Sequence, residues 1–187
     1  MKEFIQKHKL FSFYTALMLV IVFIAIFAPW LAPGDAFTSD MSKALQAPSA
    51  QHWFGTDKLG RDVLSRIIYG TQLSLFMGVS IVVIMVSIGT VIGAVAGYFG
   101  GKVEMVLMRL ADIMLSFPGV VLAIAIAGIL GGSIVNTILA LSVVGWAKYA
   151  RLVRSMTLKV RGEEYVTAAV MMGASTWTIL RRHIIPN

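Results

Sequence analysis

Long uncharged stretches alternate with short charged ones along this chain, and their lengths predict helices that cross a membrane. The first apolar run, "LFSFYTALMLVIVFIAIFAPWLAP", covers 10–33 without a charge, more than enough at about 1.5 Å per residue for a hydrocarbon core of about 30 Å. Lys2, Lys7 and Lys9 precede it, as in a secretory signal, but a cleavable signal has an apolar region of only about 7–15 residues. An uncleaved helix is expected, with Trp30 at the far interface. A second run, 73–101, carries Gly89, Gly93, Gly97 and Gly101 at intervals of four. In lipid such a stripe lets a neighbouring helix approach closely, because packing replaces the missing hydrophobic force, so helix packing is its expected role.

The third run begins in "KVEMVLMRLADIMLSFPGVVLAIAIAGILGG". Arg109 and Asp112 share a helical face at i and i+3 and are expected to pair at the cytoplasmic interface, while Pro118 should kink the helix. The fourth run, 133–147, continues into Lys148, Arg151 and Arg154, a stripe of cations leaving the membrane.

Composition agrees with this pattern. The 187 residues are 58% hydrophobic and 13% charged, with a mean hydropathy of +0.83, outside the range of soluble globular chains. Charge sets the orientation. With the N-terminus, the turn after 99 and everything beyond 147 in the cytoplasm, twelve of the sixteen Lys and Arg lie inside, and Lys43, Lys58, Arg61 and Arg66 lie outside. A Lys and Arg excess marks the cytoplasmic side, and cations spread between apolar runs do not point to nucleic acid. The expected organisation is an all-α polytopic membrane helix bundle. It has a cytoplasmic N-terminus (1–9), a first transmembrane helix (10–33), an external loop with an interfacial helix (34–72), transmembrane helices two to four (73–162) and a cytoplasmic segment (163–187).

Within the external loop, "GTDKLGRD" has the glycine spacing of a phosphate-binding loop, but Arg61 and Asp62 stand where Lys and Ser or Thr are needed, and no strand precedes it. Asp57 and Asp62 do not supply the alternating oxygens of a calcium loop. The local reading is a short helix, N-capped by Asp62, closed by Gly70, with Asp62 and Arg66 paired at i,i+4 and the helix lying in the interface plane. With no Cys and with His8, His52 and His183 scattered, neither a metal cluster nor a catalytic constellation is expected. An ionisable residue within a span is by default a functional candidate; for Asp112 the structural pair with Arg109 is preferred. The eleven Met are read as packing or lipid-facing residues.

The last segment, "EEYVTAAVMMGASTWTILRRHIIPN", departs from the rest. Glu163 and Glu164 suit the positive end of a helix dipole, Ala168, Ala169 and Gly173 give a smooth small-residue patch, and Ser175 can cap a second short helix before Pro186. A helix this short needs a partner to be stable. The segment resembles the cytoplasmic coupling motif of ATP-binding-cassette importer permeases: Glu-Ala-Ala, three residues, a Gly, and further on a hydrophobic pair before Pro. Thr167, Ala168, Ala169, Gly173 and Pro186 match those positions, with Thr in place of the usual Glu and Glu164 one turn earlier. "HWFGTDKLGRDVLSRIIYG", "AGYFGG", "MRLADIMLSFPGVVLAI" and "GWAKYARLVRS" resemble, in the same order, the C-type permease subunit of the dipeptide, oligopeptide and nickel subfamily.

The resemblance implies a type I importer transmembrane fold and a set of partners. These are a second permease subunit, two ATP-hydrolysing subunits that receive the tail helix in a groove, and an external solute-binding protein, besides membrane lipid. ATP would be bound by the partners, leaving this chain without a cofactor or catalytic residue of its own. The substrate stays open between peptides and nickel or chelated metal. Family members continue past the Pro-Asn with two more spans, so a fragment or truncated reading frame is expected. The competing function class is a secondary transporter or membrane scaffold whose tail lies on the bilayer, drawn by Arg181 and Arg182.

Overall fold

The computed structural model describes residues 9–186; of the expected N-terminal segment 1–9 only Lys9 is among them, and Asn187 is not. They form two compact units that divide at Gly78 and Val79.

In the first unit, α1 (Lys9–Ile26) is an apolar helix whose side chains are nearly all exposed, as a lipid-facing helix must be. It breaks before Pro29, which has no N–H to give back to residue 25 and whose ring presses on that carbonyl. The chain coils on through Phe27 into a single turn, α2 (Ala28–Leu31). The loop that follows is held by its own side chains. Asp40 caps a 3-10 turn, Met41–Lys43, and its N–H bonds the Leu59 carbonyl at 2.9 Å. Thr56 donates its N–H to the Gln46 carbonyl, accepts the Gln46 N–H on its hydroxyl and donates that hydroxyl to the Lys43 carbonyl. Gly55 and Gly60 have φ of +71° and +74°, and a Cβ at either would collide with a backbone carbonyl, of Gln46 and Asp40 respectively. "GTDKLGRD" therefore reads as a knot of backbone turns, its glycines spent on sterics.

Asp62 ends the loop and begins α3 (Val63–Phe99). One carboxylate oxygen accepts the Ser65 N–H at 2.8 Å and the Ser65 hydroxyl at 2.7 Å, and the other meets His52 Nδ1 at 3.0 Å. Two expectations are corrected here. The helix does not close at Gly70; it runs unbroken for 37 residues, because one helical Gly costs only about 1 kcal/mol and no Pro follows. Nor does Asp62 pair with Arg66, since an N-cap carboxylate must turn toward the first-turn amides. Arg66 reaches Asp57 instead, at 3.4 Å.

The carboxylates of this loop give it an acid limit. Arg61, bound at 2.7 and 2.9 Å, holds the Asp57 carboxyl at about 2, well below its ordinary 3.8. Burial pushes Asp62 up, but Ser65 and His52 outweigh it and the net shift is downward. A carboxyl with a depressed folded-state value stabilises above its unfolded value and loses that contribution as pH falls through the folded one. We expect the loop to stay ordered above about pH 4 and to open between about pH 4 and 2, seen as faster amide exchange at Thr56 and Leu59, with Asp57→Asn already raising exchange at pH 7. A pH-independent loop would contradict this.

In the second unit the end of α3 lies against α6 (Ile134–Arg161). Between them in sequence come α4 (Gly101–Ser116) and α5 (Gly119–Leu130), bent by 90° at Phe117 and Pro118. Phe117 is extended, as the residue before a proline prefers. The turn into α6 is tied by the Asn136 amide to the Leu130 and Gly131 carbonyls and capped by the Ser133 hydroxyl on the Asn136 N–H. Among the described residues, α1 and α3 are long and apolar enough to span a membrane, and α4 with α5 makes a third if the bent pair is one span. The expected fourth, α6, falls outside that set: its cations Lys148, Arg151 and Arg154 sit in mid-helix. After it come α7 (Glu164–Met171), α8 (Thr176–Ile179) and a π-helical turn, Leu180–Ile184.

Candidate functional site

Three of the four stripe glycines face α6 at contact distance. A Cβ built on Gly89 would stand 2.5 Å from the Tyr149 Cβ, one on Gly93 2.5 Å from the Ala150 carbonyl oxygen, and one on Gly97 2.7 Å from the Thr157 Cβ. Gly145 on α6 lies against the flexible end of the Met85 side chain of α3, a position that the spacing of glycines on one helix could not reveal. Gly101 is not part of the stripe. It opens α4 with a φ of +53° and nothing within 4 Å, because α3 has already ended at Phe99.

Two ion pairs join α4 to α6: Arg154 with Glu104, and Arg151 with Asp112. The expected Arg109–Asp112 pair is thereby corrected. The three-residue spacing of the α6 cations aims two guanidiniums across at the two acids of α4, and a fork-shaped donor on a facing helix meets a carboxylate better than a neighbour on the same helix does. Arg109 has no ion-pair partner among the described residues.

The tail is built on the end of this bundle. Gly162 closes α6 through its N–H on the Lys159 carbonyl, and the Glu163 carbonyl accepts the Val166 and Thr167 N–H groups to start α7. The helix ends in a double closure, the Ala174 N–H on the Ala169 carbonyl and the Gly173 N–H on the Val170 carbonyl, with Gly173 at φ +80°. This two-bond end requires a left-handed residue after the helix. Ser175 then caps α8, accepting the Thr178 N–H at 3.3 Å.

Two faces result. Val166, Ile179, Leu180 and Ile184 are buried with Ala94, and Tyr98, Val153, Val160 and Ala174 pack around them; Ala169 is buried as well. Part of the small-residue patch thus faces inward, onto this chain's own helices. Glu164, Thr167, Ala168 and Gly173 are exposed, as is Pro186 beyond the π-helical turn. The outer face is more apolar than the motif suggested: Met171 is 83% and Met172 82% exposed, beside exposed Val170 and Trp177. A residue type gives no sign of which face of a two-turn helix is covered, so reading the small residues alone missed this pair of surfaces.

The role of Gly173 can be measured. Nothing lies within 4 Å of its added Cβ, so only the backbone resists substitution. Gly173→Ala and Gly173→Leu should each cost about 1–2 kcal/mol, and Gly173→Asn less, by thermal unfolding of the chain alone. A cost that grows with side-chain size would show that something packs there.

Residues 89–187 match the family described as the binding-protein-dependent transport system inner membrane component, and residues 5–48 match the N-terminal TM domain of oligopeptide transport permease C. The chain belongs to this permease family. Its relatives include the dipeptide transport system permease protein of Alkalihalophilus pseudofirmus, 42% identical over 98% of this chain and 60% of the relative. The probable D,D-dipeptide transport system permease protein of Escherichia coli K12 is 42% identical over 91% of this chain and 57% of its own length. The glutathione transport system permease protein of Pectobacterium atrosepticum is 41% identical over 91% and 57%. The chain therefore spans about three fifths of the length of the curated relatives it matches. It is a member of a family of transport permeases, not of enzymes, and its helices have the fold expected of the membrane component of a type I importer.

Proposed function

We propose that this chain is a transmembrane permease subunit of an ATP-driven importer of small peptides, placed in a bacterial inner membrane with its N-terminus in the cytoplasm. It forms the translocation pathway with a second permease subunit, receives substrate from an external solute-binding protein and couples to two ATP-hydrolysing subunits. Those subunits hold the ATP, and this chain needs no cofactor. The observation that carries the reading is the two-faced tail. One side of α7 and α8 is locked into the chain's own core, while Val170, Met171, Met172 and Trp177 stand exposed on the other. Such a surface fits an apolar groove on a partner, and because its inner face is fixed to α3 and α6, a displacement of the tail is passed to the membrane helices. Met suits a contact that must adapt as the partner moves. The named substrates of the relatives, dipeptides and glutathione, favour peptides over nickel.

Cysteine crosslinking from Met171→Cys in the assembled transporter tests the coupling. A crosslink to an ATP-hydrolysing subunit whose yield changes between ATP-bound and ATP-free states is expected. Reaction with lipid-borne reagents alone would place the tail on the bilayer and remove the reading. Dipeptide uptake into proteoliposomes, dependent on ATP and on the binding protein, tests the substrate class.

A further inference from the structure

The first unit holds a cavity of about 600 Å³ that the transport reading does not use. It is lined by Phe37 from the loop and by Arg66, Tyr69, Gln72, Leu73 and Phe76 from α3. Arg66, Tyr69, Leu73 and Phe76 recur at the three- and four-residue steps that place side chains along one helical face, and Phe37 packs edge-on to Tyr69 with centroids 4.9 Å apart. The lining is aromatic and aliphatic, with its polar groups only partly engaged. Arg66 makes two long contacts, Nε to Asp57 at 3.4 Å and Nη1 to the Ala36 carbonyl at 3.4 Å. Asp57 is already held more tightly by Arg61, at 2.7 Å. The second terminal nitrogen of Arg66, the Tyr69 hydroxyl and the Gln72 amide have no hydrogen-bond partner among the described residues. An apolar pocket with a few converging unspent polar groups is the usual form of a small-ligand site.

The length of α3 says where this pocket lies. Thirty-seven residues make a rod of about 55 Å, and even tilted by about 40° it covers about 42 Å along the membrane normal against a core of about 30 Å. One end must stand clear of the hydrocarbon. The end bearing Ser65, Arg66, Thr71 and Gln72 and leading from the polar loop is the one suited to water. An occupant is thus met from the aqueous side, which favours a water-soluble anion with apolar groups over an acyl chain.

We propose that this pocket binds the carboxylate end of a small apolar peptide. The free guanidinium edge of Arg66 takes the carboxylate, Tyr69 and Gln72 serve the peptide's polar backbone, and Phe37, Leu73 and Phe76 cover an apolar side chain. The proposal rests on the peptide-importer reading and gives the pathway a residue-level entry point on the chain's outer face.

The test is equilibrium binding of Leu-Leu and of its C-terminal amide to the full chain in phosphatidylcholine nanodiscs. The acid should bind saturably and the amide about tenfold more weakly, the size of one charge-assisted contact. Arg66→Gln should lower the acid to the level of the amide while leaving the amide unchanged. Phe37→Ala, which removes a loop ring from Tyr69 and leaves Arg66 and the α3 sequence intact, should weaken both ligands severalfold, and it decides the matter if the Arg66 variant does not fold. Acid and amide binding alike, or no saturable binding, overturns the proposal. So does enrichment of phosphatidylglycerol at the protein that depends on Arg66 and excludes the peptide, which would give the pocket to a lipid headgroup. Uptake separates the two readings. ATP-driven peptide import that is indifferent to Arg66, in a chain without acid-selective binding, removes the pocket alone; acid-selective binding without any ATP-driven import removes the importer reading alone.

Discussion

Gly93→Leu is expected to separate α3 from α6 and to cost the folded chain about 3 kcal/mol, the upper end of what overpacking does in a close-packed interior. The reason is the identity of the atoms in the way. An added Cβ meets the Ala150 carbonyl oxygen at 2.5 Å, the Val153 Cβ at 2.8 Å and the Arg154 amide nitrogen at 3.0 Å, and neither backbone atom can move without moving α6. Lipid gives two helices no hydrophobic reason to stay together, so the closeness that glycine permits is itself the source of the attraction. Gly128→Leu is the matched control, since nothing lies within 4 Å of its Cβ, and it should not destabilise, gaining up to about 1 kcal/mol from the better helix propensity of Leu. Equal unfolding temperatures for the Gly93 and Gly128 variants would sink this account of the stripe.

Gly89, Gly93 and Gly97 were legible because close helix packing in lipid has few other sequence solutions, while spacing could not tell Gly101 from them; the break at Pro118 was legible because proline removes a donor wherever it stands. The loop was not. Asp62 is hydrogen-bonded to Ser65 and to His52 ten positions away, and Asp57 separately to Arg61, and no periodicity announces such a knot. The same limit explains the misplaced end of the helix at Gly70, where a glycine permits a stop without requiring one. Partner choice among charges failed for a related reason. Spacing within one helix shows who is near on that helix, but Asp112 found Arg151 thirty-nine positions away, across a junction fixed by the turn at Gly131 and Ser133. In the tail, the motif marked the segment, and only the packing of Val166 and Ile179 against Ala94 showed which side stays exposed.

The second large effect is expected at Glu104. Its carboxylate is the only ion-pair partner that Arg154 has among the described residues, and the two side chains keep 22% and 35% of their exposure. Glu104→Leu would leave a guanidinium without its counter-charge between α4 and α6. Breaking a fully buried pair costs about 3–5 kcal/mol; with this much residual solvent access, about 2 kcal/mol is the expected loss. Removing Arg154 as well, in Glu104→Leu with Arg154→Leu, should return most of it, since an apolar pair of similar volume replaces an ion pair at little cost. The Asp112–Arg151 pair serves as internal contrast. Both of its side chains are about half exposed, so Asp112→Leu should cost less than about 1 kcal/mol. Thermal unfolding of the three variants beside the parent in one detergent gives the whole comparison. If the Asp112 variant falls as far as the Glu104 variant, or the double variant is no better than Glu104→Leu alone, then burial does not set the strength of this clamp. The outcome also separates two kinds of clamp: a pair whose loss is partly repaired by two leucines holds α4 and α6 together by contact, whereas one that cannot be repaired holds them by charge, and only the latter can be loosened by an ion or a proton.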